Sequence, residues 1–553
     1  MKKNRVFQMK KSTFIEGTLI ATLAIIVTKI LGMLYVIPFY AMVGTKGSAL
    51  YAYAYNIYII FLDISAAGIP IAMSKLIKEY HTLGYMDAKI RAYKIGKKLV
   101  CTLSLVAFLL VFFFAKSIAF LILGDLQGGN TIEDVAVVIR FVSLAILVIP
   151  YLSVTKGYLQ GHNIINIPSY SQVLEQFVRI LVILLGSYLC LKVFHLPLEI
   201  SVGIAVSGAF IGGLVAILYI KKNMQSQKEK IFESTEEKQD FISDKDIQKK
   251  IISYAIPFII IDIATSLYNF IDMVFLSRTM THLGFDATTT EFITSSVATW
   301  AGKIGNCVTS IAMGLIVSLI PSMVEACTLA KWNMVENRFN KALQIILFCC
   351  IPMMIGISLL ARPIWSIFYG SQYLELGENV LQFYIYTTIF VNLYMVSTST
   401  LQSLNKFKNV YQTTLLGYVT NAILDVPFMF LFYSLGYSPF IGTIFASILG
   451  YGVSFIMTLN ILKRGYHMKF KQTLQVLFKM VLPTLTMTLV VMFFINHVHY
   501  DATSKLSCIF YVLFIGLIGA CTYLGLSYKQ GIIQTIFGKK VQKKLTLKKG
   551  SSS

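Results

Sequence analysis

Runs of about twenty consecutive apolar residues recur along this chain, and that is the length a helix needs to cross roughly 30 Å of hydrocarbon. Composition bears on the point: 56% of the 553 residues are hydrophobic and only 13% are charged, against roughly 25% charged in a soluble domain. A water-soluble multi-domain enzyme, a disordered chain and a fibrous protein are all excluded. The chain is expected to be an all-α polytopic membrane protein.

Fourteen spans are predicted. Six run over 13–43, 49–74, 98–123, 135–157, 170–192 and 199–221, and a polar segment follows at 222–250. Six more run over 251–277, 292–324, 342–362, 379–403, 411–435 and 440–462, and two close the chain at 474–496 and 506–527. A repeat supports the grouping. Leu159-Gln160-Gly161-His162-Asn163 ends the fourth span, and Leu401-Gln402-Ser403-Leu404-Asn405 ends the tenth. At a similar offset, Ala67-Gly68-Ile69-Pro70 is matched by Met313-Gly314-Leu315-Ile316. Six helices return the chain to its starting side, so two copies would lie parallel, as in transporters built from paired lobes. The expected organisation is a six-helix lobe over 1–221, a cytoplasmic linker over 222–250, a second lobe over 251–462, helices 13 and 14 within 463–527, and a basic tail over 528–553. The two lobes would face a central cavity.

The net charge of +22 raises the question of nucleic acid, and the placement of the cations answers it. Lys and Arg gather in alternate loops, the orientation signal that puts both termini in the cytoplasm. The outside loops hold only Lys46, Lys192, Arg278, Arg362 and Lys505, with Lys116 at a span end. No segment offers a basic face for nucleic acid. The basic start of the chain precedes an apolar stretch too long for a cleavable signal peptide, so this stretch is expected to remain as the first helix. The eight cysteines form no CxxC pair and no metal-ligand spacing.

Four cations fall inside spans: Lys29, Arg140, Arg179 and Lys303. Charge in the bilayer centre costs at least ~2.5 kcal/mol, so it faces protein or water and commonly serves function. Lys29 and Lys303 have small neighbours, and a cationic cavity would attract an anion such as phosphate, the ammonium acting as a point charge. Arg179 stands one turn after Glu175, which suggests an i,i+4 pair. Arg140 lies near the outer end of its span. Among carboxylates, Asp63, Asp262, Asp272 and Asp425 lie within spans. Asn421 and Asp425 share a helix face, and with an Asp from the seventh span and Thr443 they offer the oxygen donors that suit sodium. Carriage of protons, or neutralisation of the buried lysines, is the other use for these acids. No GxGxxG, P-loop, HExxH or GxSxG occurs. Asp244-Lys245-Asp246 lies in a charged linker and carries no chemistry.

Thr28-Lys29-Ile30-Leu31-Gly32, and Ala301-Gly302-Lys303-Ile304 running to Leu319-Ile320-Pro321-Ser322, resemble the MurJ-type lipid II flippases of the multidrug/oligosaccharidyl-lipid/polysaccharide (MOP) flippase superfamily. Gly157-Tyr158-Leu159-Gln160-Gly161, with Glu175-Gln176-x-x-Arg179, is similar to the broader polysaccharide-flippase group. The likeness covers nearly the whole chain, through short motifs. It implies a non-enzymatic flippase of the bacterial cell membrane that moves lipid II, an undecaprenyl-pyrophosphate-linked saccharide, from inner to outer leaflet. Alternating access driven by membrane potential and/or sodium is implied, with membrane lipids and cell-wall synthesis proteins as partners. In the family a basic residue, usually Arg, holds the substrate pyrophosphate at the positions of Lys29 and Lys303. Arg179, Glu175 and Asp63 would be accessory cavity charges. The family's sodium site carries over to Asp272, Asn421, Asp425 and Thr443, with Asp262 competing with Asp272. Three departures stand out. A second cation of the first span falls near Tyr35 here, a second-span Arg has no counterpart in Phe61-Leu62-Asp63-Ile64, and Lys for Arg removes bidentate phosphate binding. Another polyprenyl-pyrophosphate-linked unit is therefore an alternative substrate. A cation-coupled multidrug exporter is a second alternative, and a membrane-embedded glycosyltransferase is disfavoured by the short outside loops.

Overall fold

The computed structural model describes residue 24 and residues 27–64, 68–126, 128–162, 164–225 and 241–537. A few side chains between residues 257 and 328, those of Asp262 and Pro321 among them, lie outside this description. So do the first 23 residues, the tail from 538 and the middle of the polar linker. Among the described residues there is helix and no strand, and no cysteine is in a disulfide.

The helices in chain order are α1 (Val27–Asp63), α2 (Ile69–Leu83), α3 (Met86–Phe113), α4 (Ala115–Leu123), α5 (Ile132–Gly161), α6 (Asn166–Val193), α7 (Leu198–Gln225) and α8 (Asp244–His282). They continue as α9 (Ala287–Ser295), α10 (Ala301–Thr328), α11 (Trp332–Leu359), α12 (Ala361–Tyr369), α13 (Leu374–Ser403), α14 (Phe407–Ser434) and α15 (Phe440–Tyr466). The last are α16 (Lys471–His497), α17 (Lys505–Lys529) and α18 (Ile532–Phe537). Eleven of the described helices are long and apolar enough to span a membrane. That is fewer than fourteen, for two identifiable reasons. Helix α1 runs through the described part of the first predicted span and most of the second, with a break at Gly44 (φ 66°, ψ −168°), a conformation that only glycine adopts without strain. Helices α8 and α10 lie over the predicted seventh and eighth spans but are not in the eleven.

By packing, the chain divides into a unit of residues 1–299 and a unit of residues 300–553. In the first, α5 is central and packs on α1, α2, α3 and α7. Its start is fixed by reciprocal bonds: the Asp134 amide donates to the Thr131 hydroxyl at 3.1 Å, and the Thr131 amide donates to the Asp134 carboxylate at 2.9 Å. Its end lies against α2 through two glycines one turn apart. A Cβ at Gly157 would stand 2.5 Å from the Pro70 carbonyl oxygen, and one at Gly161 would stand 2.7 Å from the Ile77 Cβ. Small residues at i and i+4 are how membrane helices reach backbone contact. In the second unit, α14 and α15 form the most extensive pair, and α16 and α17 pair and pack on α11 and α12. The Tyr523 hydroxyl donates to the Phe348 carbonyl at 3.0 Å and fastens α17 to α11. The outer faces of α16 and α17 leave Phe478, Leu489, Phe510 and Leu517 more than two-thirds exposed, as expected of surfaces solvated by lipid.

Helix α8 belongs to the first unit because its start is clamped there. Ser243 caps it, Asp244 pairs with Arg91 at 2.8 Å, and Lys250 and Tyr254 donate to Glu79 at 2.8 and 2.9 Å. Asp244 and Asp246 thus serve a helix N-terminus, where acids are stabilising. Desolvation alone would raise the Glu79 carboxyl, but the bonds from Lys250 and Tyr254, with the charges of Lys250 and Lys75, hold it below its usual range. A depressed carboxylate contributes stability that is present above its unfolded value of roughly 4.3 and lost as pH falls through the folded value. Glu79→Gln is therefore expected to lower the melting temperature of the purified protein at neutral pH. The gap to wild type should close below about pH 4; a gap indifferent to pH would show that this clamp is not electrostatic.

Candidate functional site

In the first unit, intramembrane charges lie on α1, α5, α6 and α8. Lys29 is half-buried and shares a face of α1 with Gly32, three residues on. A Cβ at Gly32 would lie 3.3 Å from the Gln176 side-chain nitrogen, so α1 meets α6 at the turn that carries Glu175 and Arg179. The expected pair between those two does not form. Glu175 is ion-paired with Lys156 of α5 at 2.8 Å, both side chains less than one-fifth exposed. Arg179 donates to the Tyr58 hydroxyl at 3.3 Å, with its guanidinium carbon 4.8 Å from the centre of that ring. The lysine reaches across between helices and takes the carboxylate, so the pair that spacing suggests within one helix is replaced by one between two.

Asp63 is half-buried at the end of α1 and accepts a hydrogen bond from Ser266 of α8. Arg140 lies 3.6 Å from Glu133 near the start of α5, in keeping with its expected place at a span end. Asp272, on α8, is 7% exposed. Asp262 lies outside the residues whose side chains are described.

In the second unit, Lys303 is half-buried in the first turn of α10 with its ammonium 5.1 Å from the Trp300 ring centre. Trp300 is itself held, its carbonyl accepting from the Tyr369 hydroxyl at 2.6 Å. The glycines beside Lys303 admit α13. A Cβ at Gly302 would come within 3.0 Å of the Tyr384 hydroxyl, and one at Gly305 within 3.0 Å of a Thr388 methyl. The space that small neighbours leave around this lysine is thus occupied in part by a tyrosine.

Asn421, Asp425 and Thr443 are wholly buried on the packed pair α14 and α15. A Cβ at Gly442 would stand 2.4 Å from the Met429 amide nitrogen, so the two backbones are in contact beside these residues. The Asn421 amide donates to the Ser447 hydroxyl at 3.1 Å. The Thr443 hydroxyl has no hydrogen-bond partner among the described residues. A hydroxyl, a carboxylate and an amide buried on two helices in backbone contact are a set of hard oxygen donors. These three belong to the second unit and Asp272 to the first.

Sequence reasoning missed Lys156, Ser447, Tyr384 and the tyrosines around Arg179. Two of these had a signal. Ser447 stands four residues after Thr443 on the same helix face, and Tyr51, Tyr55 and Tyr58 recur at helical spacing.

Residues 14–325 match the family model for polysaccharide biosynthesis proteins, and residues 257–426 match the model described as MatE. Lipid II flippase MurJ of Bacillus subtilis (strain 168) is 32% identical over 542 residues, covering 96% of this chain and 98% of that protein. Among solved structures, a lipid II flippase MurJ in an inward closed conformation aligns with a TM-score of 0.68 at 17% identity, over 92% of this chain and 98% of its own. An inward-facing multidrug resistance MATE transporter of the MOP superfamily aligns at 0.61 and 15% identity, over 80% of this chain and 98% of its own. These two likenesses attest the fold.

Replacing Glu175 by Met strands the Lys156 ammonium in a poorly solvated place and is expected to cost ~3 kcal/mol. Replacing both residues by Met should cost less than that single change. Thermal midpoints of the purified variants decide it, and a double variant as unstable as the sum of both singles would mean that the pair has no energetic coupling.

Proposed function

The chain belongs to the MurJ-type lipid II flippases of the MOP superfamily, and we propose that its substrate is lipid II, carried from the inner to the outer leaflet by alternating access. The observation that carries this reading is a cation set among apolar helices in each unit, Lys29 in one and Lys303 in the other. An undecaprenyl-pyrophosphate-linked saccharide has a doubly phosphorylated head that must cross hydrocarbon, and an ammonium is the point charge that offsets a phosphate. The lipid tail stays in the bilayer, alongside apolar faces such as those of α16 and α17. Both termini are proposed to be cytoplasmic on the distribution of Lys and Arg. Membrane potential supplies a bias, because moving one charge across is worth ~2.3 kcal/mol per 100 mV.

Sodium is proposed as the coupling ion, held within the second unit by Asn421, Asp425 and Thr443. Its chemistry is that of a fixed positive charge which neutralises the buried Asp425. The Thr443 hydroxyl, wholly buried and otherwise unused, supports the fit. The match of residues 257–426 to MatE favours one other reading, a cation-coupled drug exporter, and the sign of the interior charges opposes it.

Lys29→Ala and Lys303→Ala are each expected to abolish rescue of cells depleted of their own lipid II flippase, with protein abundance near normal. Rescue by both variants would defeat the pyrophosphate contact. If wall precursor stays accessible from outside during depletion while another glycan stalls, the named substrate is wrong. For the ion, the purified protein should melt at a higher temperature in sodium chloride than in potassium chloride, and Asp425→Asn should remove the difference. Equal melting of wild type in the two salts would refute a sodium site.

A further inference from the structure

The end of the first unit that carries Lys46, placed outside by the distribution of cations, holds a carboxylate that the sites above do not use. Glu291 lies on α9, one residue before the predicted eighth span, and is 4% exposed. Asn130, itself wholly buried, holds it from the loop before α5. The Asn130 backbone amide donates to one Glu291 oxygen at 2.6 Å, and its side-chain amide donates to the other at 2.8 Å. The same side-chain amide donates to the Lys46 carbonyl at 3.1 Å, two residues past the break at Gly44. One asparagine thus joins the loop, α1 and α9. The loop is shaped to this carboxylate. Gly128 sits at φ 92°, where a side chain would be strained, and a Cβ at Gly129 would stand 2.7 Å from a Glu291 oxygen.

Few charges face Glu291. Lys46 of α1 favours the carboxylate, and Asp134 at the start of α5 opposes it. At the outer end of α8, His282 is exposed and Arg278 donates to the carbonyls of Phe120 and Leu121. Asp286 is exposed and caps α9 through the Thr289 amide. Burial outweighs the bonds from Asn130 and the charge of Lys46, and lifts the Glu291 carboxyl to about 7. A neutral carboxyl has a hydrogen to donate, and acceptors are at hand. Tyr53 of α1 lies close enough for charge on Glu291 to bear on its hydroxyl, and Thr294 shares a face of α9 with Glu291, three residues on. Both hydroxyls are buried and have no hydrogen-bond partner among the described residues.

We propose that Glu291 and Asn130 form a proton-binding latch at the outer end of the first unit. With Glu291 protonated, its O–H donates to a buried hydroxyl, its oxygens accept from Asn130, and the loop, α1 and α9 stay together. When that O–H bond breaks and the proton passes to outside water, a charge is left where it is poorly solvated, and α9 parts from the loop until water reaches the carboxylate. A carboxyl raised in the shut form contributes stability that is fully present below its ordinary value of roughly 4.3 and is lost as pH rises through the raised one. The latch takes from the flippase reading only which side is outside, and not the lipid carried.

Full-length purified wild type, Glu291→Gln and Asn130→Ala are compared at about pH 6 and about pH 8 by hydrogen–deuterium exchange corrected for the intrinsic rate. A carboxyl at about 7 when shut and roughly 4.3 when open shifts the opening equilibrium roughly tenfold between these conditions. Residues 128–132 and 287–296 of wild type should therefore exchange roughly tenfold faster at the higher pH. Glu291→Gln, which has no proton to lose, should show no such change. Asn130→Ala should expose both segments at either pH. Infrared difference spectra between the two conditions should carry the carbonyl stretch of a protonated carboxylic acid in wild type and lack it in Glu291→Gln. Wild-type exchange indifferent to pH, or a pH change or infrared band that persists in Glu291→Gln, overturns the proton site. Wild-type protection in Asn130→Ala overturns the latch. Failure to bind lipid II with the tenfold change intact would sink the flippase reading and leave the latch standing.

Discussion

A charge inside hydrocarbon has to be answered by something nearby, and Lys156, Arg179, Lys303 and Asp63 are answered differently. Lys156 and Glu175 neutralise each other across two helices. Arg179 rests on tyrosine faces and one hydroxyl. Lys303 sits beside the Trp300 ring, and Asp63 accepts from Ser266. The ion pair is electrically complete and belongs to the fold. A ring quadrupole offsets only part of the cost of burying a cation such as Arg179. That graded compensation separates residues that hold helices together from residues able to receive an anion.

Glycine pairs set the geometry in which this compensation operates. Gly157 and Gly161 bring α5 against α2, and Gly208 and Gly212 bring α7 against the turn of α6 that carries Glu175 and Arg179. Gly442 does the same for α14 and α15 beside Asn421, Asp425 and Thr443. Helices in lipid gain little from burying apolar surface against each other, so close approach through small residues carries much of the association. Charged side chains are placed to within a turn because the backbone beneath them has no freedom to slide.

The sequence made the helical class, the positions of most helices and the buried cations legible, because block length and charge placement are one-dimensional signals. The partner of each charge was harder to foresee. Spacing within one helix favoured Glu175 with Arg179, yet Lys156, nineteen residues earlier in the chain, lies across a helix–helix contact that no periodicity encodes. The structure does not bear out fourteen separate spans: eleven described helices are long and apolar enough, in part because Gly44 turns a helix without ending it. Tyr35 is instructive in a different way. It stands where the resemblance leads one to expect a cation, and it closes a line of tyrosines that leads to Arg179.

Fold likeness alone does not choose between a lipid-pyrophosphate flippase and a drug exporter, since solved structures of both kinds align over most of this chain. The sign of the interior charge does. A cationic drug approaching Lys29, Lys303 or Arg179 meets like charge where water screens poorly. At an effective dielectric of 20, two unit charges about 7 Å apart repel by roughly 2 kcal/mol. The same field attracts a diphosphate by a similar amount per pair of charges. With several such cations set among apolar helices, the electrostatic preference accumulates in one direction, and that direction is an anionic head group.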